Sequence, residues 1–295
     1  MSLTLAKLQQ LKRQAGGTSG PRPDKADIPS PPRTSIDQLR QLLRLRAAPV
    51  VRIASNDRSL PGSEVAPGLF LREERLADES VPEYFEGAFD RKDFLPASKL
   101  LFFDTETTGL AGGTGTRAFM IGAADWNDGA LRIRQLTMAT MAAESAMLDV
   151  FRSWVAPDSI LVSYNGKCYD APLLATRYRL ARRGNPLAGL AHVDLLYPSR
   201  RHWRGIYENC RLATIERQVL RIVREDDLPG SEAPAAWLSF LRGSGAHMLR
   251  RVLAHNRQDV VSLSRLFRHL SALGEPAPRV RVAQFDTLAP HGSAS

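Results

Sequence analysis

The sequence predicts an α/β fold around a mixed sheet, three antiparallel strands followed by parallel ones, flanked by helices. Three observations predict it. The segments KLLFFDTE, RAFMIGAADW and ALRIRQLTM follow one another as apolar or alternating runs with short gaps, and WNDG supplies a hairpin turn. Strand and helix patterns then alternate, with SILVSYN between the helical stretches AAESAMLDVFRSWV and APLLATRYRLARR, as parallel pairing requires. The remainder is mostly helical: CRLATIERQVL, APAAWLSFLRG, and a long helix from about Ala246 to Leu270.

This domain occupies residues 98–271. Residues 1–36 read as a disordered polar arm, because GGTSGPRPDKADIPSPPR is too rich in Gly, Pro and Ser to pack. Residues 37–97 form an N-terminal extension with a short helix, IDQLRQLLRLR, and the short strands VVRIAS and GLFLREERL. Residues 272–295 read as a flexible tail. LPGSE occurs at 60–64 and again at 228–232, too short a match to mark a repeat.

At 43% hydrophobic residues, the 295-residue chain buries a sizeable core. No apolar run reaches the roughly 18 residues of a membrane span, and MSLTLAKLQQLKRQAGG is too polar for a secretory leader. Two cysteines, Cys168 and Cys210, imply no disulfide framework and a reducing, cytoplasmic setting. The net charge is +9, and the excess is uneven. Between Arg177 and Arg224 stand eleven arginines against Asp194, Glu208 and Glu216. Such a field attracts a polyanion, because neutralising phosphates releases counterions. A solvated face in an arginine-rich chain would read the same way.

Asp104 and Glu106 close the first strand and point to the same side. Carboxylates that close repel unless a proton or a cation intervenes, and Mg²⁺ or Mn²⁺ takes such oxygen ligands. Taken alone, the pair reads more readily as a solvated strand end. The following TGLAGGTGT matches neither the Walker nor the dinucleotide fingerprint. It reads as a flexible turn whose backbone approaches a ligand, which places Thr107, Gly109 and Leu110 on the substrate side. Asp170, with Pro172 just inside a helix, fits a ligand or an N-cap.

Asp259 is different. Leu249, Val252, Leu253, Val260, Leu263, Leu266, Phe267 and Leu270 define one apolar face of the last helix. Asp259 falls inside that face and His255 lies one turn earlier at its edge. A mid-helix carboxylate there needs a partner. Either an arginine supplies it, or a cation shared with Asp104 and Glu106 does.

The order D-x-E on a first strand, Y-N-x(4)-D before a helix and H-N-x-x-D in a late helix resembles the DEDD (DnaQ-like) 3′–5′ exonucleases of the ribonuclease-H-like superfamily. FFDTETTGL, SYNGKCYDAPLL, HVDLLYP, DLPGSEAP and HNRQDVVSL are most similar to the bacterial subfamily of predicted exonucleases with a YprB-type domain. The resemblance covers about residues 98–270, and more loosely the strands near 68–76. It implies a five-stranded mixed sheet and four metal-binding acids at Asp104, Glu106, Asp170 and Asp259. Two divalent ions, Mg²⁺ or Mn²⁺, about 3.5–4 Å apart would clamp the attacking and leaving oxygens of a phosphodiester. Asp104 would bridge both, Glu106 and Asp259 would complete one site, and Asp170 would serve the other. His255 would orient or deprotonate the attacking water. The family's histidine stands five positions before the last aspartate and its tyrosine variant four; here a histidine stands four before, a rotation of about 100° on a helix. Tyr164, Asn165 and Lys167 would border the substrate, Asp194 would support the site without binding metal, and the two cysteines would be structural. The implied activity is 3′–5′ exonucleolytic hydrolysis of single-stranded or frayed DNA or RNA, with nucleic acid as the partner. Structure-specific endonuclease action and a binding module without turnover are the alternatives.

Overall fold

A computed structural model describes residues 57–78, 80–109, 114–225 and 227–274. All of them lie in one of the chain's two compact units, Ala54–Ser295. The expected polar arm, the helix IDQLRQLLRLR, the strand VVRIAS and all but the first three residues of the expected tail fall outside the described residues.

The central strand β5 (Leu100–Thr107) is buried on both faces. Leu101 and Phe103 enter one apolar core, while Leu100 and Phe102 enter another. That double burial is why LLFF is a continuous apolar run and shows no alternation. β6 (Ala118–Asn127) and β7 (Ala130–Met138) pair antiparallel beside it, through the turn at Asp128 and Gly129, both with positive φ. On the other side β8 (Ile160–Ser163) and β9 (Ala191–Asp194) run parallel to β5.

The first four of these are the strands read from the sequence, and β9 makes up the five that the resemblance implies. The sheet has seven, because β1 (Ser63–Ala66) and β2 (Leu69–Ala77) add to the antiparallel side in the order β1-β2-β7-β6-β5-β8-β9. β2 pairs with β7 along its whole length, from Leu69 opposite Met138 to Ala77 opposite Ala130. The N-terminal extension thereby covers hydrogen-bonding groups that β7 would otherwise expose. A small ribbon, β3 (Tyr84–Phe85) and β4 (Leu95–Pro96), packs Phe85 and Leu95 into the second core.

Helices α1 (Glu144–Ser153) and α2 (Asp170–Leu180) provide the crossovers of the parallel half. α3 (Leu196–Trp203) and the four-residue α4 (Leu212–Ile215) follow β9. α5 (Ala233–Leu241) precedes α6 (His247–Leu273), which runs along the sheet. The N-terminal part of α6 feeds Leu249, Val252 and Leu253 into the first core. Its C-terminal part feeds Val260, Leu263, Leu266 and Phe267 into the second. His255, Asn256 and Asp259 occupy the stretch between. Among the described residues, no helix is long and apolar enough to cross a membrane.

Phe267 meets Phe85, Phe89 and Phe102 edge-on with ring centroids 5.2–5.7 Å apart. Phe267→Ala is expected to destabilise the protein by about 3–5 kcal/mol, measured as the shift in urea unfolding. A cost below about 1 kcal/mol would contradict the packing described.

Candidate active site

The carboxylates gather where β5 ends. Asp104 and Glu106 share one face of the strand, and α6 lies against it. Thr105 points the other way, and its hydroxyl donates to Asp170 Oδ1. Asp170 is the first residue of α2, and besides the Thr105 hydroxyl its carboxyl accepts backbone N–H groups of Thr105 and of its own residue. Asp259 comes from α6.

The four acids repel one another. Burial first, then the charges of Asp259, Asp170 and Glu106, hold the Asp104 carboxyl well above the ordinary carboxylate range, against a donated hydrogen bond from Asn256. Burial likewise raises Glu106, with Asp259 and Asp170 adding to the effect and Arg224 opposing it. Asp170 is pushed up to about 6, chiefly by burial and partly relieved by the Thr105 hydroxyl. Such a cluster calls for positive charge. Glu106, His255 and Asp259 each offer a ligand atom, all within 4.8 Å of one another. Hard carboxylate oxygens and an imidazole suit a divalent ion.

Two polar residues, Asn256 and Gln135, hold Asp104 in place, and a glycine makes room for them. Asp104, Gly122 and Gln135 stand in one row across β5, β6 and β7. Asn256 is fully buried above them. Its amide donates to Asp104 Oδ2 at 3.0 Å, and its oxygen accepts from Gln135 Nε2 at 3.0 Å. Gln135 also donates to the Leu253 carbonyl at 2.8 Å. Gly122 leaves the room: a Cβ there would lie 2.1 Å from Asn256 Oδ1. The signal available in the sequence was Gln135 following Leu131 and Ile133 on the apolar face of an alternating strand.

Asp259 does have an arginine partner. Arg224 is held by the fully buried Glu216 through two hydrogen bonds of 2.7 Å, and it also donates to Asp259. His255 joins the same group, with Nδ1 2.7 Å from Asp227 Oδ1 and Nε2 3.5 Å from Asp259 Oδ2. The four-residue spacing thus brings His255 to the cluster after all. Glu216, Arg224 and Asp227 were not predicted, since they lie on a wide helical turn and the irregular segment after it.

The loop 164–169 is fixed from below. Asp194, fully buried at the end of β9, accepts the backbone N–H groups of Asn165 at 2.6 Å and Lys167 at 3.1 Å. Asn165 adopts a left-handed φ of 66°. At Gly166 a Cβ would lie 2.4 Å from Ser163 Oγ and 3.1 Å from Asp170 Oδ2, so only glycine fits beside the acid. The Tyr164 hydroxyl donates to the Cys210 carbonyl at 2.6 Å, and the Lys167 side chain is exposed. Thr107 and Gly109 line a cavity of about 210 Å³ with Asp104, Tyr169 and Asp170. Leu110 lies outside the described residues. Both cysteines are unpaired.

Residues 101–271 match the family RNase_H_2, described as RNase_H superfamily. The chain belongs to the RNase H superfamily. Among its relatives is "Uncharacterized protein YprB" of Bacillus subtilis (strain 168), 39% identical over 175 residues. That match spans 59% of this chain and 42% of the relative, so the chain covers less than half of the protein it matches. Solved structures at lower similarity include the family B DNA polymerase from Pyrobaculum calidifontis (TM-score 0.46, 16% identity, 62% of this chain and 28% of the polymerase). Another is Exonuclease I in its apo form (TM-score 0.35, 14% identity, 53% and 44%).

Two outcomes follow from this RNase H superfamily site. Gly122→Ala should displace Asn256 and cost about 1–3 kcal/mol; unchanged urea unfolding would show that the row is loosely packed. The second concerns charge. A carboxyl that is harder to ionise in the folded than in the unfolded protein costs stability as pH rises through the interval between its two pKa values. Asp104→Asn removes that cost. In EDTA at pH 7.5 the variant should melt a few degrees above the parent protein, a gain that fades toward pH 4. Mn²⁺ should raise the melting temperature of the parent chain and not that of the variant. A lower melting temperature for the variant in EDTA would contradict the electrostatic account.

Proposed function

We propose that this chain is a divalent-metal-dependent 3′–5′ exonuclease of the DEDD type and YprB-like subfamily, acting on single-stranded or frayed DNA or RNA in the cytoplasm. The observation that carries the proposal is the convergence of Asp104, Glu106, Asp170 and Asp259 at one end of an RNase H superfamily sheet, with His255 beside them. Residues 98–271 would form the catalytic domain.

In this reading Asp104, Glu106, Asp170 and Asp259 hold two divalent ions, Mg²⁺ or Mn²⁺. Bound ions supply charge neutralisation at the phosphate and lower the pKa of water. The protein's own residues do the rest. Asn256 and Gln135 fix the direction of Asp104, and Thr105 does the same for Asp170. Asp227 holds His255 at Nδ1, which leaves Nε2 facing the cluster to orient or deprotonate the attacking water. Arg224, anchored by Glu216, brings a fixed positive charge to the place where a phosphate arrives. Thr107, Gly109, Tyr164, Asn165 and Lys167 border the substrate, as would Leu110.

The test is cleavage of DNA and RNA oligonucleotides labelled at either end, with Mg²⁺ or Mn²⁺, beside circular single strands. A 3′–5′ exonuclease shortens the linear strands from the 3′ end and leaves circles intact, and Asp104→Ala should reduce the rate by at least about a hundredfold. Opened circles would make it an endonuclease. Binding without cleavage under either ion, or equal cleavage by the Asp104→Ala variant, would refute the assignment.

A further inference from the structure

The arginine-rich segment 177–224 is not one undifferentiated charged face. Arg177 pairs with Glu144, Arg183 with Asp149, Arg217 with Glu208, and Arg224 with Glu216 and Asp259. Arg201 is turned inward onto the Phe89 carbonyl. Among the described residues, Arg179, Arg182, Arg200, Arg204, Arg211 and Arg221 have no carboxylate within ion-pair distance. Three of these six, Arg200, Arg204 and Arg211, are exposed and line a single cavity of about 700 Å³. Its volume is within the range of ligand sites, about 300–1,000 Å³.

The cavity has three further properties. Arg200 and Arg204 stand one turn apart at the end of α3, so they present their guanidinium groups from one face. Arg211, at the start of α4, and the half-buried Tyr207 line the same cavity. Tyr164 and Asn165, from the loop that leads into Asp170, also line the cavity. The hydrogen bond from the Tyr164 hydroxyl to the Cys210 carbonyl ties the two walls together. The one carboxylate on the lining, Glu208, is already paired with Arg217.

We infer that this cavity is a binding groove for single-stranded nucleic acid, in which Arg200, Arg204 and Arg211 hold consecutive phosphates and Tyr207 stacks on a base. It deepens the exonuclease reading, on which it rests only for where the strand leads: past Asn165 toward Asp170. Guanidinium groups match phosphate oxygens in pairs, and a ring beside them favours a strand with bases over an acidic peptide.

The test measures anisotropy of a fluorescein-labelled single strand of about twelve nucleotides, DNA and RNA in turn, with the full chain in EDTA over a range of salt. The variant Arg200→Gln/Arg204→Gln/Arg211→Gln should lower the slope of log affinity against log salt by about 2, at about 0.7 per phosphate contact. A charge-matched control, Arg179→Gln/Arg182→Gln/Arg221→Gln, should lower it by less than about 1. Tyr207→Leu should weaken binding by about fivefold or more with the slope unchanged. Equal slope losses in the two triple variants would overturn the groove, as would displacement of the strand by polyglutamate as readily as by unlabelled oligonucleotide. The two proposals fail separately. Slope loss confined to the first triple variant, in a protein that cleaves nothing, would keep the groove and remove the nuclease. Cleavage by a protein whose two triple variants bind alike would do the reverse.

Discussion

Repulsion among Asp104, Glu106, Asp170 and Asp259 is the constraint that the surrounding structure answers. Left to relax, the groups would move apart or take up protons. The fold denies them the first course. β5 is clamped between two apolar cores, so its end cannot swing. Asn256 holds Asp104 from α6, and Thr105 holds Asp170 from the far face of the strand. Burial first, and for Asp104 and Glu106 the neighbouring acids as well, raises the pKa values of Asp104, Glu106 and Asp170.

Compensation is uneven across the cluster. On the Asp259 side a guanidinium is present, supported by Glu216, with His255 and Asp227 beside it. On the Asp104 and Asp170 side the donors among the described residues are neutral: the Asn256 amide, the Thr105 hydroxyl and backbone N–H groups. A carboxylate pair met only by neutral donors is where an added cation gains most. The rest of the basic field follows a similar division. Much of it is consumed in ion pairs such as Arg177–Glu144, which fasten α2 to α1. Half of the unpaired remainder, Arg200, Arg204 and Arg211, lines one cavity with Tyr164 and Asn165 of the acid-bearing loop.

Much of this was legible in the sequence, for identifiable reasons. The apolar run LLFFD marks a strand buried on both faces, and Asp259 is conspicuous because it interrupts an apolar helical stripe. Asp170 was ambiguous, since Asp before Pro also caps helices, and its hydrogen bond with the Thr105 hydroxyl carries no local pattern. What could not be read were interactions between distant segments that carry no local pattern. Arg224 looks like any arginine in a basic stretch, yet its partner Asp259 is 35 residues away. Gly122 reads as an ordinary small residue in a strand until Asn256 is placed over it. GLFLREERL reads as a strand, but its pairing with β7, which widens the sheet to seven strands, leaves no trace in either segment.

The most direct test of the central claim is an anomalous difference map from crystals grown with Mn²⁺. The account predicts Mn²⁺ ligated by Asp104 and Glu106 at the end of β5, with Asp170 and Asp259 completing its surroundings. A map with no peak at that position, with the four carboxylates as crowded as before, would contradict it.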